Sequence, residues 1–289
     1  MKLALGTVQF GLPYGIANQA GQVSRSEAKA MLQLALANEI DTLDTAIAYG
    51  DSEKCLGEVG AQGFKVVTKL PALPDSCMDV DGWVRQQVNA SLLRLGVSEI
   101  YGLLLHQSEH LIGSNGVALY KALQALKDNG LVKKVGVSIY SPNELAVLIS
   151  RYRLDLVQAP FNLLDQRLYS TGWMQRLKDD DIEIHTRSAF LQGLLLVNQA
   201  DIPSQFSRWA SLWQVWHKWL KDNEGLAVEA CLAFPLSIPE IDRVIVGADS
   251  VCQLAQIIRA INNQIKIDWP DIRCEDENLI NPARWIKLS

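Results

Sequence analysis

The chain has 289 residues, 48% hydrophobic and 20% charged, and its 27 Lys and Arg against 32 Asp and Glu give a formal charge of −5. This composition excludes a disordered chain, and the acidic balance argues against nucleic acid or an anionic membrane as partner. No apolar run approaches the roughly 18 residues of a transmembrane span, the opening MKLALGTVQFG is too short in apolar residues for a secretory leader, and the five scattered cysteines form no C-x-x-C pair, so reduced thiols in a cytoplasmic protein are expected.

Short apolar runs alternate with helical patterns from the start. Residues 3–5 form the first run, ending at Gly6 and Thr7. Ser24 and Glu27 make a capping-box pattern before the helix-forming stretch 28–37. A run at 40–43 ends in Asp44, and a helical stretch at 52–59 follows. Strand-like 64–70 precedes helical 83–95, and 100–106 precedes helical 117–128, which Asn129-Gly130 stops. The cycle repeats as 133–138 with 143–150, then as 154–160 with 173–179. Strand 182–188 opens a longer cycle, with a tryptophan-rich helical stretch at 204–223 and another at 226–234. Strand 243–247 and helix 250–261 close the series, the helix opened by a second capping-box pattern at Ser250 and Gln253.

Strand then helix therefore recurs eight times. The strands are short, apolar and unalternating, as in a parallel sheet covered on both faces. Eight such cycles predict an α/β fold closed as a single βα barrel of the TIM type, and an open doubly wound sheet is the alternative. With no Pro/Gly/Ser-rich linker, one domain is expected over 1–289, a barrel core over 1–261 and a C-terminal tail over 262–289. The chain begins inside strand one, so a hairpin covering the barrel floor should be absent or very short.

Barrels of this kind hold their active sites at the carboxyl ends of the strands. The residues there are Thr7, Asp44, Lys69, His106, Ser138, Gln158, Arg187 and Gly247, and Tyr49 follows Asp44 in the loop DTAIAYG. A tyrosine phenol titrates near 10, too high for efficient proton exchange at neutral pH. A nearby ammonium lowers that value, a carboxylate keeps the ammonium charged, and a neutral histidine can donate to a carbonyl. Asp44, Tyr49, Lys69 and His106 thus make a proton-donor assembly for carbonyl reduction that needs no metal. Each alone has a plainer reading: Asp44 as a turn cap, Lys69 as a solvated surface residue, His106 as a hydrogen-bonded core residue, Tyr49 as packing. Four at adjacent strand ends are harder to assign to packing.

These residues resemble those of the aldo-keto reductase family over nearly the whole chain. LALGTVQFG resembles that family's first strand and glycine turn, and DTAIAYG its Asp-x-x-x-x-Tyr pattern. The resemblance implies that Tyr49 donates the proton, Lys69 lowers its pKa, Asp44 supports Lys69, and His106 orients the carbonyl. It also implies a nicotinamide dinucleotide bound without a Rossmann glycine motif, in contact with Thr7. Ser138 and Gln158 would meet the carboxamide. Residues 188–194, with Ser188, Leu191 and Gly193 among them, would lie along the pyrophosphate. Gly247, Ala248, Ser250, Gln253 and Gln256 would cradle the adenosine end, where a helix start suits a phosphate. Some positions depart from the family pattern. Ile139 stands where Asn is usual, Arg187 where a stacking ring is common, and Ile257 where an adenine-contacting Asn is common. Asp249 stands where relatives carry Lys or Arg for a 2′-phosphate. NADP is the expected cofactor, with Arg259 or Arg243 reaching in, and NAD is the alternative that Asp249 favours.

The expected partner is a small carbonyl substrate. The similarity of LGTVQFGLPYGIAN to a bacterial subgroup linked to sugar or surface-polysaccharide metabolism makes it sugar-like. A monomer or weak homo-oligomer is expected. His106 and His110 are four apart, but Glu109 does not fit an H-E-x-x-H site, so no metal is expected. His185 and His217 read as structural. Trp209, Trp213, Trp216 and Trp219 read first as packing against the barrel, with a partner surface or a pocket wall as alternatives. Arg284 and Trp285 in the tail could reach the pocket. Two other readings stay open: a cofactor-sensing or protein-binding barrel that catalyses little, and a Schiff-base aldolase using Lys69.

Overall fold

Strands this short and apolar leave no solvent-facing side, so the sheet they form must be covered outside and filled inside. The computed structural model describes residues 1–16, 18, 21–223, 225–262 and 268–287. Eight parallel strands close in chain order: β1 (Leu3–Gly6), β2 (Thr42–Asp44), β3 (Lys65–Leu70), β4 (Ile100–Leu105), β5 (Val132–Ser138), β6 (Leu156–Pro160), β7 (Glu183–Arg187) and β8 (Arg243–Gly247), with β8 paired to β1. The principal helices around them are α1 (Arg25–Ala37), α2 (Ser52–Val59), α3 (Val80–Leu95), α4 (Gly116–Asp128), α5 (Leu145–Arg151), α6 (Trp173–Asp179), α7 (Ala227–Leu236) and α8 (Val251–Asn262). The closed barrel is the predicted one, and the open sheet is excluded.

Strand alternation sorts the side chains into two sets. Leu5, Leu43, Val66, Leu103, Val135, Val157, Ile184 and Val246 belong to the main core shared with the helices. Val67, Leu104 and Leu156 form a separate small cluster that fills the barrel. Around the strand starts, the floor is polar. Glu183 accepts from Tyr101 at 2.8 Å, pairs with His185 at 2.7 Å and is bridged by Lys134. Arg243 donates to Thr42 at 3.1 Å and to Asp41 at 3.3 Å. β1 starts at Leu3.

The two capping boxes are half formed. Ser24 Oγ accepts from the Glu27 N–H at 3.2 Å, but the Glu27 carboxylate accepts from the Val251 N–H at 2.6 Å and ties α1 to α8. Ser250 Oγ likewise accepts from the Gln253 N–H at 3.2 Å, while Gln253 Oε1 accepts from the Asp249 N–H at 2.8 Å.

The tryptophan-rich stretch starts as a 3-10 turn, Ser204–Trp209, and continues as the helix Ala210–Asp222. Trp216 donates to Leu195 O at 3.1 Å and stacks on Trp219 at 5.7 Å. Trp213 donates to Phe206 O at 3.0 Å. The packing reading holds: this helix fastens the connection after β7. Trp285 is buried edge-on against Phe206 at 4.9 Å, and Arg284 pairs with Glu277, so both pack locally rather than at the pocket. Residues 263–267 and 288–289 of the expected tail lie outside the described residues. Among the described residues no helix is long and apolar enough to cross a membrane, and all five thiols are free.

Candidate active site

The carboxyl ends of the strands open into one groove of about 480 Å³, within the usual range for a small-molecule or cofactor site. β2 and β3 supply its buried ion pair. Lys69 Nζ, 1% exposed, donates to both Asp44 oxygens at 2.8 Å and to Thr45 O at 2.8 Å, so all three of its N–H groups are used. Burial pulls the Lys69 pKa down, and the charge and hydrogen bonds of Asp44 oppose that. Gln158 on β6 donates to Asp44 at 2.7 Å and accepts from Ser138 Oγ on β5 at 3.2 Å, extending the network across four strands.

Tyr49 sits on the turn after β2. The Ile47 N–H donates to Lys69 O at 3.2 Å and the Tyr49 N–H to Ala46 O at 3.0 Å. Gly50 takes φ 53°, which suits glycine. The Lys69 ammonium lies 5.2 Å from the Tyr49 ring centre, and the His106 ring meets that ring edge-on at 5.7 Å. The four residues are therefore together.

Their electrostatics differ from expectation at one point. Lys69 was to pull the Tyr49 phenol down, but its donors are all held by Asp44 and Thr45. Burial, then the Asp44 charge, raise the phenol above its ordinary value, and Arg187 is the cation that opposes them. Tyr49 is accordingly protonated across the neutral range. Burial, then repulsion from Lys69 and Arg187, lower His106 to about 4, so it is neutral at pH 7.

Of the twelve residues expected along a cofactor, Thr7, Ser138, Gln158, Arg187, Ser188, Gly193, Gly247, Gln253 and Gln256 line the groove. Three do not, and each has a local reason. Leu191 takes φ 47° in a 3-10 turn that sends its side chain into the core. Ala248 follows inward Gly247 and so packs into the outer core. The Ser250 hydroxyl faces the start of α8 as its cap. Thr7 is present through its backbone wall, since its hydroxyl bonds Asp44 O and Ser52 Oγ at 3.0 Å. The Arg187 guanidinium donates to Ile139 O at 3.0 Å and lies over the Tyr140 ring at 4.6 Å. Neither expected reserve cation is in the groove: Arg243 is in the floor network, and Arg259 borders a neighbouring cavity. His185 and His217 bond Glu183 and the carbonyls of Trp213 and Val197, as structural residues would.

Several lining residues were not singled out from sequence: Gln9, Tyr14 and Tyr140. All lie just past strand ends, the one signal that could have found them. Tyr14 and Gln192 meet across the groove, amide to phenol oxygen, at 2.7 Å.

The sequence model of the aldo/keto reductase family matches residues 2–271. The chain belongs to the aldo/keto reductase family. Enzymes of this family are oxidoreductases that use NAD(P)H. The chain is 24% identical over 282 residues to the uncharacterized oxidoreductase YqkF of Bacillus subtilis (strain 168), covering 90% of this chain and 91% of that one. It is 31% identical over 198 residues to a 6-dehydroglucose reductase of Agrobacterium fabrum, covering 62% of this chain and 65% of that enzyme. The holo form of the aldo-keto reductase AKR11C1 from Bacillus halodurans shares the fold, with a TM-score of 0.73 at 18% identity over 100% of this chain and 92% of that one.

Proposed function

We propose that this chain reduces the carbonyl of a small, sugar-like compound with Tyr49 as proton donor, and oxidises the alcohol in reverse. The observation that carries this reading is the cluster of a protonated phenol, a neutral imidazole and a buried Lys–Asp pair on one wall of a long groove.

The groove also suits an extended dinucleotide. It runs from Tyr49 and His106 to the first turn of α8, and the side-chain oxygen of Gln9 is buried along it with no partner among the described residues. At Gly247 a Cβ would come within 2.6 Å of the Gln9 amide, so glycine makes room for the Gln9 side chain in the wall there. When bound, the nicotinamide dinucleotide supplies the hydride. Ser138 and Gln158 would hold its carboxamide, with Arg187 beside the ring. Ser188 and Gly193 would face the pyrophosphate, and Gln253 and Gln256 the adenosine.

His106, being neutral, donates one N–H to the substrate carbonyl oxygen and orients it. Tyr49 shares that oxygen and gives up its proton as negative charge builds there. Arg187 stabilises the phenolate left behind. Asp44 keeps Lys69 charged. Tyr14 and Gln192 give the groove polar groups that suit a hydroxylated substrate, and a relative is named 6-dehydroglucose reductase.

Tyr49→Phe tests the assignment. Turnover of an aldehyde and sugar-ketone panel should fall by about 10³-fold, the contribution of a positioned general acid, while dinucleotide binding stays near wild type. Unchanged turnover would sink it. Binding of the dinucleotide by wild type without turnover would favour the cofactor-sensing barrel, and borohydride trapping through Lys69 would favour the aldolase.

A further inference from the structure

The distal end of the groove carries a charge pattern that bears on the proposed cofactor. Among the described residues, Arg187 is the only cationic side chain lining the groove apart from the imidazole of neutral His106, and it sits at the tetrad end. At the other end stands Asp249. Its carboxylate accepts from Asn18 Nδ2 at 3.3 Å; burial raises its pKa, and the side chains of Gln253 and Gln9 oppose that. A carboxylate has about four acceptor positions, so positions remain beyond the Asn18 contact. The carbonyl oxygen of Gln9, also in the groove wall, is a second acceptor. Gln9 is only 9% exposed, and its side-chain oxygen has no partner among the described residues.

Two acceptors with no cationic side chain beside them among the described residues of the groove define their ligand. They suit a group that brings two O–H donors, such as a vicinal diol. They oppose a phosphate, which brings acceptors and negative charge and would find no counter-ion. Arg259, one of the expected reserves, donates to Ala255 O at 3.3 Å beside the neighbouring cavity.

Resting on the dinucleotide reading above, we infer that Asp249 and Gln9 read the free 2′,3′-diol of the adenosine ribose, so that this chain takes NAD(H) and rejects NADP(H). A 2′-phosphate would replace one hydroxyl donor and place its charge against Asp249. A buried polar group built for a hydroxyl discriminates strongly against a ligand that cannot satisfy it. The same pair sets the direction of change on substitution. Removing the carboxylate weakens NADH, which loses an acceptor, and relieves NADPH, which loses a repulsion.

The test is a binding titration of the purified full chain with NADH and with NADPH, read by tryptophan fluorescence and energy transfer to the reduced nicotinamide. Wild type should bind NADH at least about tenfold more tightly than NADPH, the worth of one hydrogen bond to a charged group. Asp249→Ser should weaken NADH by about tenfold and tighten NADPH, erasing the preference. Gln9→Met, which keeps the bulk and removes the acceptor, should weaken NADH in the same direction. Equal or tighter NADPH binding by wild type overturns the inference and leaves the reductase reading standing. An unchanged ratio in a folded Asp249→Ser overturns the assignment to Asp249. Failure of wild type to bind either nucleotide overturns both readings. Should one variant not fold, the wild-type ratio and the other variant still decide.

Discussion

Tyr49 sits where burial and the Asp44 charge raise its phenol and Arg187 alone opposes them. The raised value sets a direction for the reaction. Reduction needs the protonated phenol, which is present throughout the neutral range. Alcohol oxidation needs the phenolate, which is scarce there. With His106 lowered to about 4 and the Tyr49 phenol raised, neither group that meets the carbonyl changes charge between pH 5 and 8. Steady-state rates should therefore be flat for reduction over that interval. Oxidation should climb with pH, approaching about tenfold per unit as expected for a single ionisation below its pKa. A flat oxidation profile would count against Tyr49 as the proton-transferring group. The Lys69–Asp44 pair makes a second, structural prediction. Asp44→Asn leaves a fully buried ammonium with no opposite charge, which typically costs about 3–5 kcal/mol. Denaturant unfolding should show that loss, and Lys69→Met added to it should recover much of the stability, because the uncompensated charge is gone.

Two loops, after β1 and after β2, position Tyr49 by backbone contact. A Cβ on Gly11 would lie 1.8 Å from Tyr49 O and 2.5 Å from Ser52 N, and one on Gly50 would lie 2.6 Å from Gly11 O. Backbone meets backbone here, and no side chain can rotate away. Gly11→Ala should therefore displace the Tyr49 turn. Expected effects are a stability loss of about 1–3 kcal/mol, as for overpacking, and a kcat reduced at least about tenfold with nucleotide affinity much less affected. Thermal melts, kcat and binding measured together check it, and a variant with full kcat would show that the turn has room to adjust. These loops also mark how far the sequence was legible. Each strand run was readable because a doubly covered strand is continuously apolar, and Asp44, Lys69 and His106 followed from where the runs end. Leu191 and Ala248 were misplaced because a 3-10 turn with positive φ and a one-residue alternation decide which side chain faces the groove. Gln9 and Tyr140 went unnoticed because a short turn carries no periodicity. The Asp44 contact that captures Lys69 is tertiary, so its effect on the phenol could not be read from spacing.

Across the whole molecule, chemistry and stability occupy opposite ends of the barrel. The five residues of β7 run from Glu183 in the floor to Arg187 in the groove, roughly 13 Å at the usual strand rise. Burial alone would raise the Glu183 carboxyl, but hydrogen bonds from His185 and Lys134 overcome it and hold the group well below the usual glutamate range. A carboxylate lowered by folding stabilises the native state above its unfolded pKa and loses that contribution as pH falls through its folded value. Glu183→Gln should accordingly cost about 2 kcal/mol at pH 7, in the range for hydrogen bonds to a charged group. Lys134 and Tyr101 would keep only a neutral amide as partner. The stability gap between wild type and variant should narrow as pH drops below about 4.3, where an unfolded glutamate takes up its proton. Because the floor shares no residue with the groove, kcat for carbonyl reduction should stay within about twofold of wild type, as for sites that do not couple. Unfolding curves at pH 7 and pH 3 with a single rate measurement decide the matter. A gap that is constant with pH would mean that Glu183 acts by shape rather than charge, and a collapsed kcat would mean that the floor network sets the strand ends above it.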